Sequence, residues 1–578
     1  MTEPIIEFKD FSFKYNSQAA PPLKPIHLKK INLKINKGEK ILLAGPSGSG
    51  KSTIGRCLNG LIPNIDQGNI TGKCLVNGKD ITKTSLFDFS FTTSTILQDA
   101  DSQFIGLTVG EDIAFALEND CQPKAKMHHT VNQWAEELQI KELLKQSPQS
   151  LSGGQKQIVA LAGVLVDESP ILLFDEPLAN LDPASGLKTM AIIDKIQKEL
   201  NATVIIIEHR VEEVLSQPID RIVLVNDGQI VADEPTNQLL HENSLEKIGV
   251  RQPLYLKAMT AAGINLSSIK KLDKIADLPT SDSISQELEN WVDQVPVKES
   301  TATHQPLLKL DHVGHKYNIN QPYPLKDVSA TINQGDFISI VGQNGAGKTT
   351  LCRIICGFIS NEGKITLKDQ DLANLSIKER AEKIGYVMQD PNQMISQKMI
   401  FDEIALGLRL RNVDEETIKQ KVNQTLKICG LYPFRHWPIS ALSFGQKKRV
   451  TIASILVLEP EIIILDEPTA GQDWKTYTEI MGFLKHLNKL GKTIIIITHD
   501  MHLMLEYTTR SLAFTKGKLI ADTSPIELLT NPKLIKEASL KRTSLFELAQ
   551  HYDLPDPNKS VQAYINSEQK NWKDEDYE

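Results

Sequence analysis

Two α/β domains in tandem are what this sequence predicts, on three observations: its length, an ordered internal repeat, and bounded apolar runs that do not alternate. At 578 residues the chain exceeds what one hydrophobic core sustains, so two domains of ordinary size plus connections are expected. The repeat supplies the plan. GPSGSGKST at 45–53 returns as GQNGAGKTT at 342–350, LSGGQK at 151–156 as LSFGQK at 442–447, and ILLFDEP at 171–177 as IIILDEP at 462–468. The matches keep their order at a nearly constant interval, which marks duplicated domains.

Each copy opens with short alternating strands, IIEFKDFSFKY and INLKI in the first, LLKLDHVGHKY and VSATI in the second. A buried strand then runs into a Gly-rich turn and a helix: ILLAG into GPSGSGKST, FISIVG into GQNGAGKTT. The later apolar runs 171–174, 204–207, 462–465 and 494–497 read as strands of a parallel sheet covered on both faces. The expected domains are 4–240 and 306–530. Between them, 241–305 accumulates Ser, Thr, Asp and Pro and reads as a connector with some helix. The stretch 531–578 is expected to be a helical extension ending in the acidic tail DEDYE.

Composition narrows the function. Lys and Arg number 64 against 72 Asp and Glu, a net charge of −8, so nothing in the bulk charge attracts polyanions and no nucleic acid partner is expected. The longest apolar stretches fall short of the ~18 residues needed to span a bilayer. The start, MTEPIIEFKD, lacks the basic region and apolar run of a secretion signal. Six cysteines without a CxxC pair argue against a zinc or iron–sulfur site and fit a reducing compartment. Cys352 and Cys356, one helical turn apart, are expected in the core.

GxxxxGK[ST] occurs twice, each time between a predicted strand and a predicted helix, the context that gives the motif meaning. Gly45-Pro46-Ser47-Gly48-Ser49-Gly50-Lys51-Ser52-Thr53 and Gly342-Gln343-Asn344-Gly345-Ala346-Gly347-Lys348-Thr349-Thr350 would curl backbone N–H groups around the phosphates of ATP. Lys51 and Lys348 would supply a cation for the β- and γ-phosphates. Ser52 and Thr349 would be Mg²⁺ ligands, with Asp175 and Asp466 at the ends of apolar strands. Glu176 and Glu467 follow, placed to polarise an attacking water as general bases. His209 and His499 end further strands. A lone histidine there is more often structural, but recurrence after equivalent strands favours a γ-phosphate contact. Gln98 and Gln389, each before Asp, would bridge Mg²⁺ and the attacking water. Tyr15 and Tyr317 could stack on adenine or could be core aromatics.

With Gly-rich turn, Gln, LSGGQ, Asp-Glu and His in this order, the chain closely resembles the ATP-binding-cassette (ABC) ATPases over nearly all of both halves. The resemblance implies two tandem P-loop ABC ATPase domains, each with a mainly parallel sheet core, an antiparallel β subdomain and a helical subdomain bearing LSGGQ. It implies an intramolecular pseudo-dimer that sandwiches two ATP molecules. One composite site would draw on Lys51, Glu176 and His209 with Ser443, Gly445 and Gln446. The other would draw on Lys348, Glu467 and His499 with Ser152, Gly153, Gly154 and Gln155. Finer features resemble the energy-coupling factor (cobalt-type) importers of vitamins and transition metals. These are Gln389-Asp390-Pro391-Asn392-Gln393, its variant Gln98-Asp99-Ala100-Asp101-Ser102-Gln103, and the following TVGEDIAFAL and MIFDEIALGL. That resemblance implies a transmembrane coupling protein and a small substrate-binding membrane protein as partners, with this chain peripheral on the cytoplasmic face of the membrane. The coupling groove would lie near 98–104 and 389–394.

Three departures stand out: Phe444 for the first signature glycine, Ile158 where Arg449 stands in the second copy, and Gln472-Asp473-Trp474 against Leu181-Asp182-Pro183. Phe444 places a side chain where close backbone approach is expected, so the site of Lys51 and Ser443 is expected to turn over more slowly. The competing class is a soluble tandem-cassette translation factor acting on ribosomes. Such factors usually carry a strongly charged arm between cassettes, whereas 241–305 mixes both signs with many uncharged residues.

Overall fold

The computed structural model describes residues 3–16, 27–97, 103–179, 181–242, 244–295, 305–316, 324–442 and 444–570. The chain divides after Pro279 into two compact units, apart from Asp473–Lys475, which group with the first.

In the first unit a six-stranded sheet runs in the order Gln229–Pro235, Arg221–Asn226, Lys40–Ala44, Thr203–Ile207, Ile171–Asp175, Thr93–Ile96. All neighbours are parallel except the hairpin at the Gln229–Pro235 edge. The second unit repeats it as Lys518–Thr523, Arg510–Thr515, Phe337–Gly342, Thr493–Ile497, Ile462–Asp466, Ile384–Val387, again parallel but for the edge hairpin. The apolar runs expected as inner strands are inner strands. TVIII and TIIII are buried at every position, as β-branched residues pressed between two layers must be.

A four-stranded antiparallel sheet accompanies each core. Its order is His27–Ile35, Ile6–Tyr15, Gly68–Val76, Lys79–Asp80 in the first unit and Leu325–Asn333, Pro306–His315, Glu362–Leu367, Gln370–Asp371 in the second. Its apolar face joins the core of the parallel sheet: Phe8, Phe11 and Phe13 cluster with Ile41, Leu173 and Ile205, and Leu308 and Leu310 with Ile340 and Ile464. Cys352 and Cys356 lie in the second of these cores.

Between the edge strand Thr93–Ile96 and Ile171–Asp175 the first unit inserts the helices Val109–Asn119, Lys124–Glu137 and Gly153–Leu165. The second inserts Ile400–Arg409, Glu415–Ile428 and Phe444–Leu456. An acid in the first turn of each leading helix fixes the loop before it. Asp112 accepts from the amides of Ile105 and Gly106 at 2.8 and 2.9 Å, and Glu403 from those of Ser396 and Gln397 at 2.8 and 2.7 Å.

The stretch read as one connector belongs to two bodies. Helices Ser244–Lys247 and Leu254–Ala261 fold onto the first unit, where Glu212 accepts from the Leu254 amide at 2.8 Å and Asn237 from that of Leu272 at 2.7 Å. Helix Asp282–Gln294 belongs to the second, where Ser285 donates to the Tyr552 carbonyl at 2.8 Å and Lys559 pairs with Asp293 at 2.6 Å. Among the described residues no helix is long and apolar enough to cross a membrane.

Candidate functional site

Because the inner strands are parallel, their C-terminal ends share one edge, where open α/β sheets gather ligands. The Gly-rich turn follows Lys40–Ala44 there and leads into helix Lys51–Leu58. Its second copy follows Phe337–Gly342 and leads into Lys348–Ile355. Gly45 and Gly342 have φ of +156° and +141°, and a Cβ on either would lie 2.0 or 2.1 Å from the carbonyl oxygen of Val225 or Phe514. Only glycine fits that close to the next strand. Lys51 donates to the carbonyls of Gly45 and Pro46 at 2.8 and 2.9 Å. Lys348 donates to those of Gly342 and Gln343 at 2.7 and 3.0 Å. Burial holds the Lys51 ammonium down to about 8, against the pull of Glu176 and Asp175.

The acid pairs come next. Ser52 Oγ lies 3.5 Å from Asp175 Oδ1, whereas Thr349 Oγ1 donates to Asp466 Oδ2 at 3.0 Å. Burial, reinforced by the charge of Glu176, pushes Asp175 up to about 6. Glu176 and Glu467 both adopt left-handed backbone, φ +50° and +47°, and each donates its amide to the end of the adjacent strand, Ile207 O at 2.9 Å and Ile497 O at 3.0 Å. A non-glycine residue held so in both halves stores local strain of about 1 kcal/mol or more. The turn brings each glutamate to its histidine: His209 Nε2 lies 3.3 Å from Glu176 Oε1, and His499 Nε2 3.5 Å from Glu467 Oε1. His499 Nε2 is also 3.4 Å from Lys348 Nζ.

The structure thus brings together Lys51, Ser52, Asp175, Glu176 and His209 in one unit, and Lys348, Thr349, Asp466, Glu467 and His499 in the other. Gln98, Tyr317 and Ser443 lie outside the described residues, and so does the side chain of Phe444. Tyr15 packs edge-on against Phe13, with ring centroids 4.7 Å apart, and its hydroxyl donates to Thr53 Oγ1 at 3.4 Å. Ser152 and Gln155 spend their side chains on each other's amides as a capping box, at 3.4 and 3.0 Å, opening helix Gly153–Leu165. Gly154 and Gly445 pack closely: a Cβ would stand 3.0 Å from Ser185 Oγ in the first case and 2.6 Å from Gln472 Oε1 in the second.

Sequence reasoning missed two groups of side chains. Glu208, only 3% exposed, accepts from the amides of Leu178, His209 and Arg210 at 3.1, 2.7 and 3.1 Å. It therefore fixes the turn that presents His209, and burial raises its pKa. Tyr386 donates to Asp466 Oδ2 at 3.0 Å, and Lys448 reaches the main chain at Gln389. A charged or hydroxyl group in an otherwise apolar strand or helix is the signal that could have found them.

The side chains of the first site fit a bound ligand. Among the described residues Ser49 Oγ is buried with no hydrogen-bond partner, Lys51 donates only to carbonyl oxygens, and Asp175 accepts only from the distant Ser52 hydroxyl. An oxygen-rich anion with a hard divalent cation fits that donor set.

Comparison with known proteins agrees with the geometry. The ABC transporter family matches residues 28–179 and 325–470, and a family described as ATP-binding cassette cobalt transporter matches 242–315. A chain of Lactobacillus johnsonii named as an ABC transporter ATP-binding protein is 86% identical over 578 residues, covering 100% of both chains. One of Enterococcus faecalis with the same name is 57% identical over 566 residues, covering 98% of each. Among solved structures, cbiO1 of Clostridium perfringens, part of the ABC transporter complex cbiONQ, is 33% identical. It covers 40% of this chain and 93% of its own, with a TM-score of 0.37.

Proposed function

This chain belongs to the ABC transporter family as one of its ATP-binding, ATP-hydrolysing proteins, and from that premise we propose that it powers an importer of the energy-coupling factor type. It would drive uptake of a vitamin or a transition-metal ion through separate membrane subunits: a transmembrane coupling protein and a small substrate-binding membrane protein. The observation that carries this reading is the match of residues 242–315 to the cobalt-transporter ATP-binding family. The segments QDADSQ at 98–103 and QDPNQ at 389–393 support it.

In this reading Lys51 and Lys348 exchange their carbonyl partners for the β- and γ-phosphates, and the Gly-rich amides enclose the remaining oxygens. Glu176 and Glu467 take the proton of the attacking water, a contribution of about 10²–10⁴ in rate. His209 and His499, within reach of those glutamates, contact the γ-phosphate and hold the carboxylates in place. Ser52, Asp175 and Gln98 would hold Mg²⁺ in the first half, and Thr349, Asp466 and Gln389 in the second. When bound, the ion supplies charge neutralisation at the phosphates. The two ATP sites are composite, each completed by the LSGGQ-type residues of the other half: Ser443, Gly445 and Gln446 for Lys51, and Ser152, Gly153, Gly154 and Gln155 for Lys348. The chain then works peripherally at the cytoplasmic face of the membrane.

The test is purification of the tagged chain from gently solubilised cells, with mass spectrometry of every stoichiometric partner. A multispanning membrane protein together with a small second one is the expected result. Ribosomes without membrane partners would overturn the importer reading in favour of a translation factor, leaving the ATPase chemistry intact.

A further inference from the structure

Helix Phe444–Leu456 carries a lysine where its counterpart in the first half, Gly153–Leu165, carries a glutamine. Lys448 is 1% exposed, and its Nζ donates to the carbonyl oxygens of Met388 at 2.9 Å and Gln389 at 2.6 Å. A buried ammonium costs several kcal/mol unless its donors are satisfied, so these two bonds are what makes the placement tolerable. Both carbonyls follow strand Ile384–Val387, which runs parallel to Ile462–Asp466 with Val387 beside Leu465. The main chain at Gln389 is therefore tied down at the sheet edge that bears Asp466 and Glu467. Gln157 holds the corresponding place in the first half. It is 6% exposed, and its Nε2 has no hydrogen-bond partner among the described residues.

We propose that Lys448 is a positioning residue: it anchors the main chain from which the Gln389 side chain departs, and so couples that loop to the helix that opens with Gly445 and Gln446. The second half has this tie; among the described residues Gln157 Nε2 makes no equivalent bond. A displacement at the start of Phe444–Leu456 is handed directly to the backbone of Gln389. The proposal rests on the reading of Gln389 as a contact of the ATP site.

The experiment uses the full-length chain with Lys448→Gln, Lys448→Arg, Gln389→Ala and the double variant Lys448→Gln/Gln389→Ala. Amide hydrogen exchange of the nucleotide-free chain is the first readout. Lys448→Gln is expected to speed exchange across 388–394 about tenfold, the effect of losing roughly one charge-assisted hydrogen bond. Lys448→Arg, which keeps cationic donors, should stay within about twofold of the parent. Steady-state ATPase is the second. Lys448→Gln should lower kcat about fivefold with KM for ATP within about twofold, and should cost nothing further once Gln389 is alanine.

Losses that multiply in the double variant would overturn the proposal, as would a Lys448→Gln chain with lowered Tm but parental exchange and kcat. A Gln389→Ala chain with parental kcat would sink the reading of Gln389 along with it, which distinguishes the two failures. Gln157 shows that glutamine is accepted at this place in the fold. Should Lys448→Gln nonetheless not fold, Lys448→Arg decides: parental exchange with parental kcat supports the proposal, and parental exchange with the kcat of Gln389→Ala defeats it.

Discussion

Gly60 and Gly357 occupy equivalent turns in the two halves, and a Cβ on either would strike the side chain facing it, Phe89 in the first and Arg380 in the second. Phe89 fills its place with apolar surface. Arg380 fills the same place by donating to the carbonyls of Ile354 at 3.1 Å and Leu372 at 2.6 Å. The contrast repeats closer to the chemistry. Tyr386 donates to Asp466, whereas Thr95, its counterpart, leaves a buried hydroxyl without a partner among the described residues. Lys448 binds two carbonyls where Gln157 Nε2 finds no partner among the described residues. Other pairs are interchangeable: Gln103 accepts from the Leu97 amide, and Met394 from the Met388 amide, both at 3.1 Å. The second half thus holds Asp466 and the main chain of its glutamine loop with polar side chains, while among the described residues Asp175 is buried with only the Ser52 hydroxyl at 3.5 Å. Two copies of one plan need not be two equal engines.

The sharpest way to break this comparison is at the general bases. Glu467→Gln is expected to lower ATP turnover by about 10²–10³, and Glu176→Gln distinctly less, if the Lys51 site is the slower one as Phe444 leads us to propose. Equal losses in steady-state ATPase would defeat the inequality. Next are the aspartates, read by urea unfolding of the nucleotide-free chain at pH 7. Asp175→Asn removes an ionised carboxylate that burial disfavours, and should stabilise by roughly 1–3 kcal/mol. Asp466→Asn weakens the bonds from Thr349 and Tyr386 and should destabilise by about 1–2 kcal/mol. Both should abolish turnover at their own site.

The pH dependence sharpens the same point. Asp175 is raised above its unfolded value to about 6, so the stability it contributes is present below about pH 4 and lost as pH rises through about 6. Asp175→Asn should flatten that part of the stability profile. The smallest expected effects concern the neighbouring hydroxyls. Tyr386→Phe should cost about 0.5–1.5 kcal/mol. Thr95→Val should lie within about 0.5 kcal/mol of the parent, on the stabilising side. A Thr95→Val loss as large as that of Tyr386→Phe would show that the first acid is bonded after all.

How much of this could be read from the sequence follows from the range of the forces involved. Unalternating runs such as TVIII and TIIII announce strands buried on both faces, and the Gly-rich turn announces itself through residues that only tight curvature requires. The acids and histidines were legible because each ends such a run. Less visible were interactions joining distant positions: Lys448 to Gln389, Tyr386 to Asp466, Glu208 to Leu178. A lysine in a helix reads as solvated until the fold shows carbonyls facing it. The left-handed backbone of Glu176 and Glu467 was hidden too, because nothing in a glutamate requires it. The stretch 241–305 looked like a single polar connector because its amphipathic helices are short. Only the surfaces they cover reveal that its early part serves the first unit and helix Asp282–Gln294 the second.

That left-handed turn has a bearing on engineering. At φ near +50° a glycine or asparagine is more at ease than a glutamate, so Glu176→Gly and Glu467→Gly relieve backbone strain of about 1 kcal/mol or more. A campaign that selects variants of this chain for thermal endurance alone would therefore be drawn to these two positions, and to Asp175. Its most durable products would be heat-resistant binders of ATP that no longer hydrolyse it.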